Sequence, residues 1–207
     1  MFARSLAVCL SAGAVAALLV PEALAVKVRV RVEGRDLTIF GPTAPLIDVT
    51  SPRANPLPES VLDALESASV LGEFYYHLTT WPDVRVDQIG RIAEYGQTSW
   101  AYKVNGVAPD VGAAEYRLRP GDSVVWYWAQ YGFAGGPKTL VLQRRGRCYT
   151  VLQQDDKGAT SAAVGATLRV GSRRTVATRN GRACIGPHRG LLVRGILAGA
   201  IRSNALP

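Results

Sequence analysis

From Val26 onward valines alternate with polar residues: Val26, Val28, Val30 and Val32 are interleaved with Lys27, Arg29, Arg31 and Glu33. A period of two marks a strand with one buried face. Gly34 turns the chain toward a second strand at 37–40, and Pro42, Pro45, Pro52, Pro56 and Pro58 hold most of the following stretch extended or turned. At Ser60 the period changes. Ser60-Val61-Leu62-Asp63 reads as a capping box with Asp in place of Glu, and Val61, Leu62, Leu65 and Ala68 make the apolar stripe of one short helix. The period of two then returns at 74–78 and 84–89. The stretch from Ser99 to Trp128 predicts two aromatic hairpins. In the first, Trp100, Tyr102 and Val104 share a face before an Asn105-Gly106 turn. In the second, Tyr116 and Leu118 lead through Pro120-Gly121-Asp122 into Val124, Trp126 and Trp128.

Gly132-Phe133-Ala134-Gly135-Gly136-Pro137 breaks this pattern, and short strands follow at 139–143, 148–153, 165–170, 173–178, 183–185 and 191–197. The charge balance changes at the same place. Residues 26–138 carry 11 Lys plus Arg against 13 Asp plus Glu, whereas residues 139–207 carry 12 against 2. The expected organisation is therefore a first domain over 26–131, a Gly/Pro linker over 132–138 and a basic second domain over 139–207. Residues 1–25 read as a signal peptide: Arg4 gives a positive start, 6–20 is almost wholly apolar, and Ala23-Leu24-Ala25 offers a small-residue cleavage site. The apolar run is shorter than the roughly 20 residues a spanning helix needs, so a secreted or cell-envelope protein is expected. Cys9 would leave with the signal. Cys148 and Cys184 then form an even pair in an oxidising compartment and are expected to bond, which would stabilise a thin second core by ~4 kcal/mol.

Strand parity divides the aromatic residues. Trp100, Tyr102, Trp126 and Trp128 lie with the aliphatic positions and belong to the core. Tyr127 points the other way, Tyr131 and Phe133 follow the strand, Trp81 sits on a Pro-containing loop, and Tyr75 opposes the Phe74 face. These five are the ligand-binding candidates, because stacking area supplies affinity for a flat, apolar-faced ligand.

Four segments carry a resemblance in order: V-R-V-E-G at 30–34, S-V-L-D-A-L at 60–65, W-A-Y-K-V-N-G at 100–106, and Tyr-x-Leu-x-x-Gly-Asp-x-Val-x-Trp at 116–126. Together they resemble the transcobalamin-like C-terminal domain, a family that includes many exported bacterial proteins of unknown function. The resemblance implies a β-grasp-like α+β domain, a mixed sheet with one helix packed over it. In the vitamin B12 carriers this domain is half of a clamp over the corrin, so cobalamin or a related corrinoid is the ligand it suggests. In the tail, Thr178-Arg179-Asn180-Gly181-Arg182-Ala183 resembles a hairpin of Ig-like or peptidase-regulatory-like modules and implies a small β-sandwich. The whole chain should be mostly β with one short helix.

His77 and His188 fall in different expected domains, and no G-x-S-x-G, H-E-x-x-H or C-x-x-C pattern occurs. The expected function is non-catalytic binding of a small planar molecule, with no metal and no nucleic acid. Two alternatives remain. One is a structural or adhesive envelope module whose arginines (Arg144, Arg145, Arg147, Arg173, Arg174, Arg179, Arg182, Arg189, Arg194 and Arg202) bind anionic wall or membrane polymers. The other is a hydrolase built on carboxylates such as Asp83, Asp87, Glu94, Asp110 or Asp122.

Overall fold

A computed structural model of the chain describes residues 25–50, 58–130, 136–172 and 174–207. Almost all of the expected signal segment lies outside these residues, as do Tyr131, Phe133, Arg173 and most of the expected linker.

The alternating start is strand β1 (Lys27–Glu33). Strands β2 (Thr38–Phe40) and β3 (Leu46–Asp48) both pair antiparallel with it, one at each end. Helix α1 (Val61–Gly72) starts at the expected capping box: Asp63 N–H donates to Ser60 Oγ at 3.2 Å, and Ser60 N–H donates to Asp63 Oδ2 at 2.9 Å. The helix ends where Glu73 turns left-handed at φ 51°. Strands β4 (Tyr76–Thr79), β5 (Arg85–Ile89) and β6 (Ile92–Ala93) form a small antiparallel sheet. Next comes β7 (Thr98–Val104), paired antiparallel with β8 (Ser123–Gln130). On its other side β8 lies parallel to β1, so the main sheet is mixed and runs β2-β1-β8-β7, with β3 also on β1.

One of the two expected hairpins does not form. Asn105-Gly106 does make the tight turn, with φ of 52° and 83° and reciprocal backbone bonds between Val104 and Val107. Residues 116–119, however, do not pair with β8. Tyr116 C=O accepts from Val61 N–H and Leu118 N–H donates to Glu59 C=O, so this stretch closes over the start of α1. The alternation there reflects Leu118 burying itself beside the helix rather than a ladder.

The second unit holds β9 (Thr139–Arg145), β10 (Cys148–Gln154), β11 (Thr160–Ala162), β12 (Thr167–Val170), β13 (Arg174–Ala177), β14 (Arg182–Cys184), β15 (Val193–Ile196) and β16 (Ala205–Leu206). They make two four-stranded antiparallel sheets: β9, β11 and β14 around β10, and β13-β12-β15-β16. Leu140, Leu142, Tyr149 and Val151 of one sheet pack with Leu168, Val170 and Val193 of the other in a single core. Cys148 and Cys184 stand opposite one another on β10 and β14 and are bonded. The chain is thus mostly β with one short helix among the described residues, the architecture expected from the pattern.

Both faces of the main sheet are covered. Val28, Val30 and Val32 pack under Val61, Leu65 and Ala68 of α1, together with Trp100, Val104, Val124 and Trp126. The opposite face carries Arg31, Glu33, Lys103, Val125, Tyr127 and Ala129, all buried, with Ile201 of the second unit packed against the apolar ones. Parity placed Tyr127 correctly on this second face. That face is an interface, so Tyr127 is completely buried and is not part of a binding surface.

Candidate functional site

The two units meet through polar groups that the β1 pattern assigned to solvent. Glu33 is wholly buried. Its Oε2 accepts from Thr38 Oγ1 at 2.8 Å and from Arg202 Nε at 3.0 Å; its Oε1 lies 3.4 Å from Arg31 Nη1 and 3.9 Å from Arg194 Nη1. Arg202 also donates to the carbonyls of Gly34, Arg35 and Leu37, which fastens the β1–β2 turn to the second unit. One carboxylate thus faces three guanidinium groups. Burial, only partly offset by Glu33 and reinforced by Arg194 and Arg202, brings Arg31 down to about 10. A second contact pairs fully buried Lys103 with Asp156 at 2.9 Å, the ammonium lying 5.8 Å from the centre of the Tyr127 ring. Burial raises the Asp156 carboxyl, but bonds from Lys103 and the Gly136 N–H, with the Lys103 charge, hold it below the usual carboxylate range.

Two cavities flank the β1–β2 turn and share Asp36 and Leu37. The first, about 590 Å³, lies between that turn and the second unit; Leu37, Leu191, Leu192 and Ile196 form apolar wall, and Arg169, Arg194 and Arg202 are cationic neighbours. The second, about 600 Å³, is bounded by Leu37, Ile92, Tyr95 and Trp128. Both lie within the size range of ordinary small-molecule sites, roughly 300–1,000 Å³, which favour junctions between structural units. Leu37 and Leu191 are each more than half exposed, and Tyr95 is 87% exposed. Trp128 is half-buried with the Arg35 guanidinium 5.7 Å from its ring centre, and its indole N–H has no hydrogen-bond partner among the described residues. Burial pushes Arg194 down; Glu33 opposes this, while Arg202 and Arg169 add to it.

The remaining aromatic candidates lie elsewhere. Trp81 is 83% exposed on the loop between β4 and β5, and Tyr75, exposed just before β4, accepts a hydrogen bond from Gln88. Neither lines the two cavities. Tyr131 and Phe133 lie outside the described residues. The structure therefore does not gather Tyr75, Trp81 and Tyr127, the three of the five expected residues that it describes, at these cavities. It brings forward Trp128, which parity assigned to the core, and Leu37, Tyr95 and Leu191, which no periodicity singles out.

Beside Tyr75, His77 Nδ1 lies 2.7 and 3.0 Å from the Asp87 oxygens, and Thr79 Oγ1 donates to the same carboxylate. Burial raises Asp87, but the bonds from Thr79 and His77 and the His77 charge outweigh it and hold the carboxyl below its usual range. A carboxylate only accepts, so the Nδ1–H of His77 donates to Asp87. Thr79 directs its proton to Asp87 and not to His77, so the trio orients an imidazole without activating the hydroxyl. Among the described residues no three His, Cys, Asp or Glu side chains gather for a metal, and no helix is long and apolar enough to cross a membrane.

Of the arginines expected to form a basic face, Arg144, Arg145, Arg147, Arg174, Arg179, Arg182 and Arg189 are exposed. Arg194 and Arg202 are not: their side chains are 15% and 17% exposed because Glu33 draws them into the junction.

Residues 59–130, from the start of α1 to the end of β8, match the model of a family described as a domain of unknown function (DUF4430). No curated protein matches the chain.

Proposed function

We propose that the protein is an exported, non-catalytic binding protein that holds a small apolar or planar molecule in the concave surface around Asp36 and Leu37. The observation that carries this reading is the pair of adjoining cavities sharing that turn, walled by Leu37, Leu191, Leu192 and Ile196 on one side and by Trp128 and Tyr95 on the other. Exposed aliphatic and aromatic side chains at a junction have no packing role to repay their contact with water, whereas a ligand would remove that contact. The resemblance to the transcobalamin-like domain, itself half of a ligand clamp, supports a carrier role and makes a corrinoid one probe to include. Here the facing wall would be the second unit.

The test is a titration with N-phenylnaphthylamine, a neutral planar apolar probe, and separately with cobalamin, following tryptophan emission. Binding of the naphthylamine with quenching is expected. Leu37→Asp should weaken it about tenfold or more, as expected for placing a charge in an apolar contact. Trp128→Phe should reduce the quenching, and Trp81→Phe should change neither. Loss of binding in Trp81→Phe with full binding in Leu37→Asp would refute the location, and no binding of either probe would refute the function.

A further inference from the structure

Strands β12 and β15 pair so that Arg169 stands directly opposite Arg194. Opposed residues of an antiparallel ladder project to the same face, and like charges placed so are destabilising. Both line the cavity of about 590 Å³, and Arg202 lines it too. The carboxylates nearby do not balance them. Glu33 is already shared among Arg31, Arg194 and Arg202, and Asp36, although it lines the cavity, is 3.9 Å from Arg35 Nε. The donors are also unequally used. Arg202 has its Nε and both terminal nitrogens bound to Glu33 and three carbonyls. Arg194 donates to Thr38 Oγ1 through Nη1, and exposed Arg169 donates to Ser172 C=O through Nη2 at 3.0 Å. Among the described residues Arg194 Nε and Nη2 and Arg169 Nε and Nη1 have no hydrogen-bond acceptor. Two opposed guanidinium groups with unspent donors therefore stand beside a wall of Leu37, Leu191, Leu192 and Ile196.

From this juxtaposition we infer that the cavity takes a free single-chain amphiphile with one anionic head, the head held by Arg169 and Arg194 and the chain laid along the leucine wall. This rests on the binding role proposed above and names the chemistry of its ligand. A carboxylate or phosphate monoester supplies the counter-charge that the strand pair lacks, and guanidinium groups suit either head through paired N–H donors. Cationic and neutral chains of equal length supply only the apolar part of the contact.

The experiment is displacement of bound N-phenylnaphthylamine by decanoate, decyl phosphate, decanol and decyltrimethylammonium, all below their micellar concentrations. Decanoate and decyl phosphate should displace the probe at concentrations about tenfold or more below decanol, the value of roughly one charge-assisted contact. Decyltrimethylammonium should be weaker than decanol. In Arg169→Gln, whose guanidinium is exposed and outside the Glu33 cluster, the ratio of anion to alcohol, each measured against the same probe in that variant, should fall severalfold. Arg194→Gln should reduce the ratio at least as far. An equal ratio in the parent protein overturns the inference while leaving the binding role intact; failure of the probe itself to bind removes both. Co-sedimentation with phosphatidylglycerol vesicles without displacement by either free anion would also overturn it, since the anion would then be read as a membrane surface.

Discussion

Replacing Glu33 by glutamine should destabilise the protein far more than a one-atom change suggests. The side chain is wholly buried and, among the described residues, is the one carboxylate within reach of Arg31, Arg194 and Arg202. The amide would keep the volume of the acid and could still accept from Thr38 or Arg202, but three guanidinium groups would lose their counter-charge while remaining largely out of water. Removing one partner of a buried ion pair typically costs about 3–5 kcal/mol, mostly the penalty of the charges left behind. With a urea dependence of about 2 kcal/mol per molar, the unfolding midpoint should fall by roughly 1.5–2.5 M. Urea unfolding followed by tryptophan emission measures this. A loss under about 1 kcal/mol for Glu33→Gln, the value of an exposed pair, would show that water reaches the cluster and that the junction is not built as described.

Other consequences can be checked separately. Asp87 and Asp156 are both held below the usual carboxylate range, so each contributes stability that is complete above the ordinary carboxylate pKa and is lost as pH falls through its lower folded value. Asp87→Asn should therefore lower the urea midpoint at neutral pH, and the difference from the parent should shrink as the solution is acidified below the ordinary carboxylate range; an undiminished difference there would contradict the assignment. Changing Cys148 and Cys184 together to serine should cost about 4 kcal/mol of unfolding free energy by the loop-entropy estimate, measured by calorimetry of the oxidised parent against the variant; equal melting would show that the bond constrains nothing. Gly106→Ala should destabilise by about 1–3 kcal/mol, since φ is 83° and an added Cβ would fall 2.0 Å from Gln154 Oε1 of the second unit. Wild-type stability in that variant would contradict the left-handed backbone at Gly106.

Much of the fold is legible in the chain because it rests on local periods. Val26 to Val32 alternate as strongly as any strand, the Ser60–Asp63 box marks the helix start to the residue, and the cysteines fall in register once β10 and β14 pair. What is not legible is long-range covering. Tyr127 has the parity of an outward residue, yet it is buried in a small cluster with Val125 and Ala129 against which Ile201 of the second unit packs. Arg31 and Glu33 look like the solvent face of a strand until Arg202, 169 residues beyond Glu33, reaches them. Tyr116 and Leu118 alternate because they close over the helix, and alternation alone does not say which partner a segment meets. Strands as short as β3 and β6 leave no period to detect. The candidate site suffers most from this, since Leu37, Leu191 and Arg169 come from three separate segments and none carries a motif.

A crystal structure of the protein with N-phenylnaphthylamine bound tests the central claim most directly. Probe density against Leu37, with Leu191 and Leu192 or with Trp128 and Tyr95 as the facing wall, is the predicted result. Density on the Tyr75 and Trp81 surface, with the space around Asp36 and Leu37 left to solvent, would contradict it.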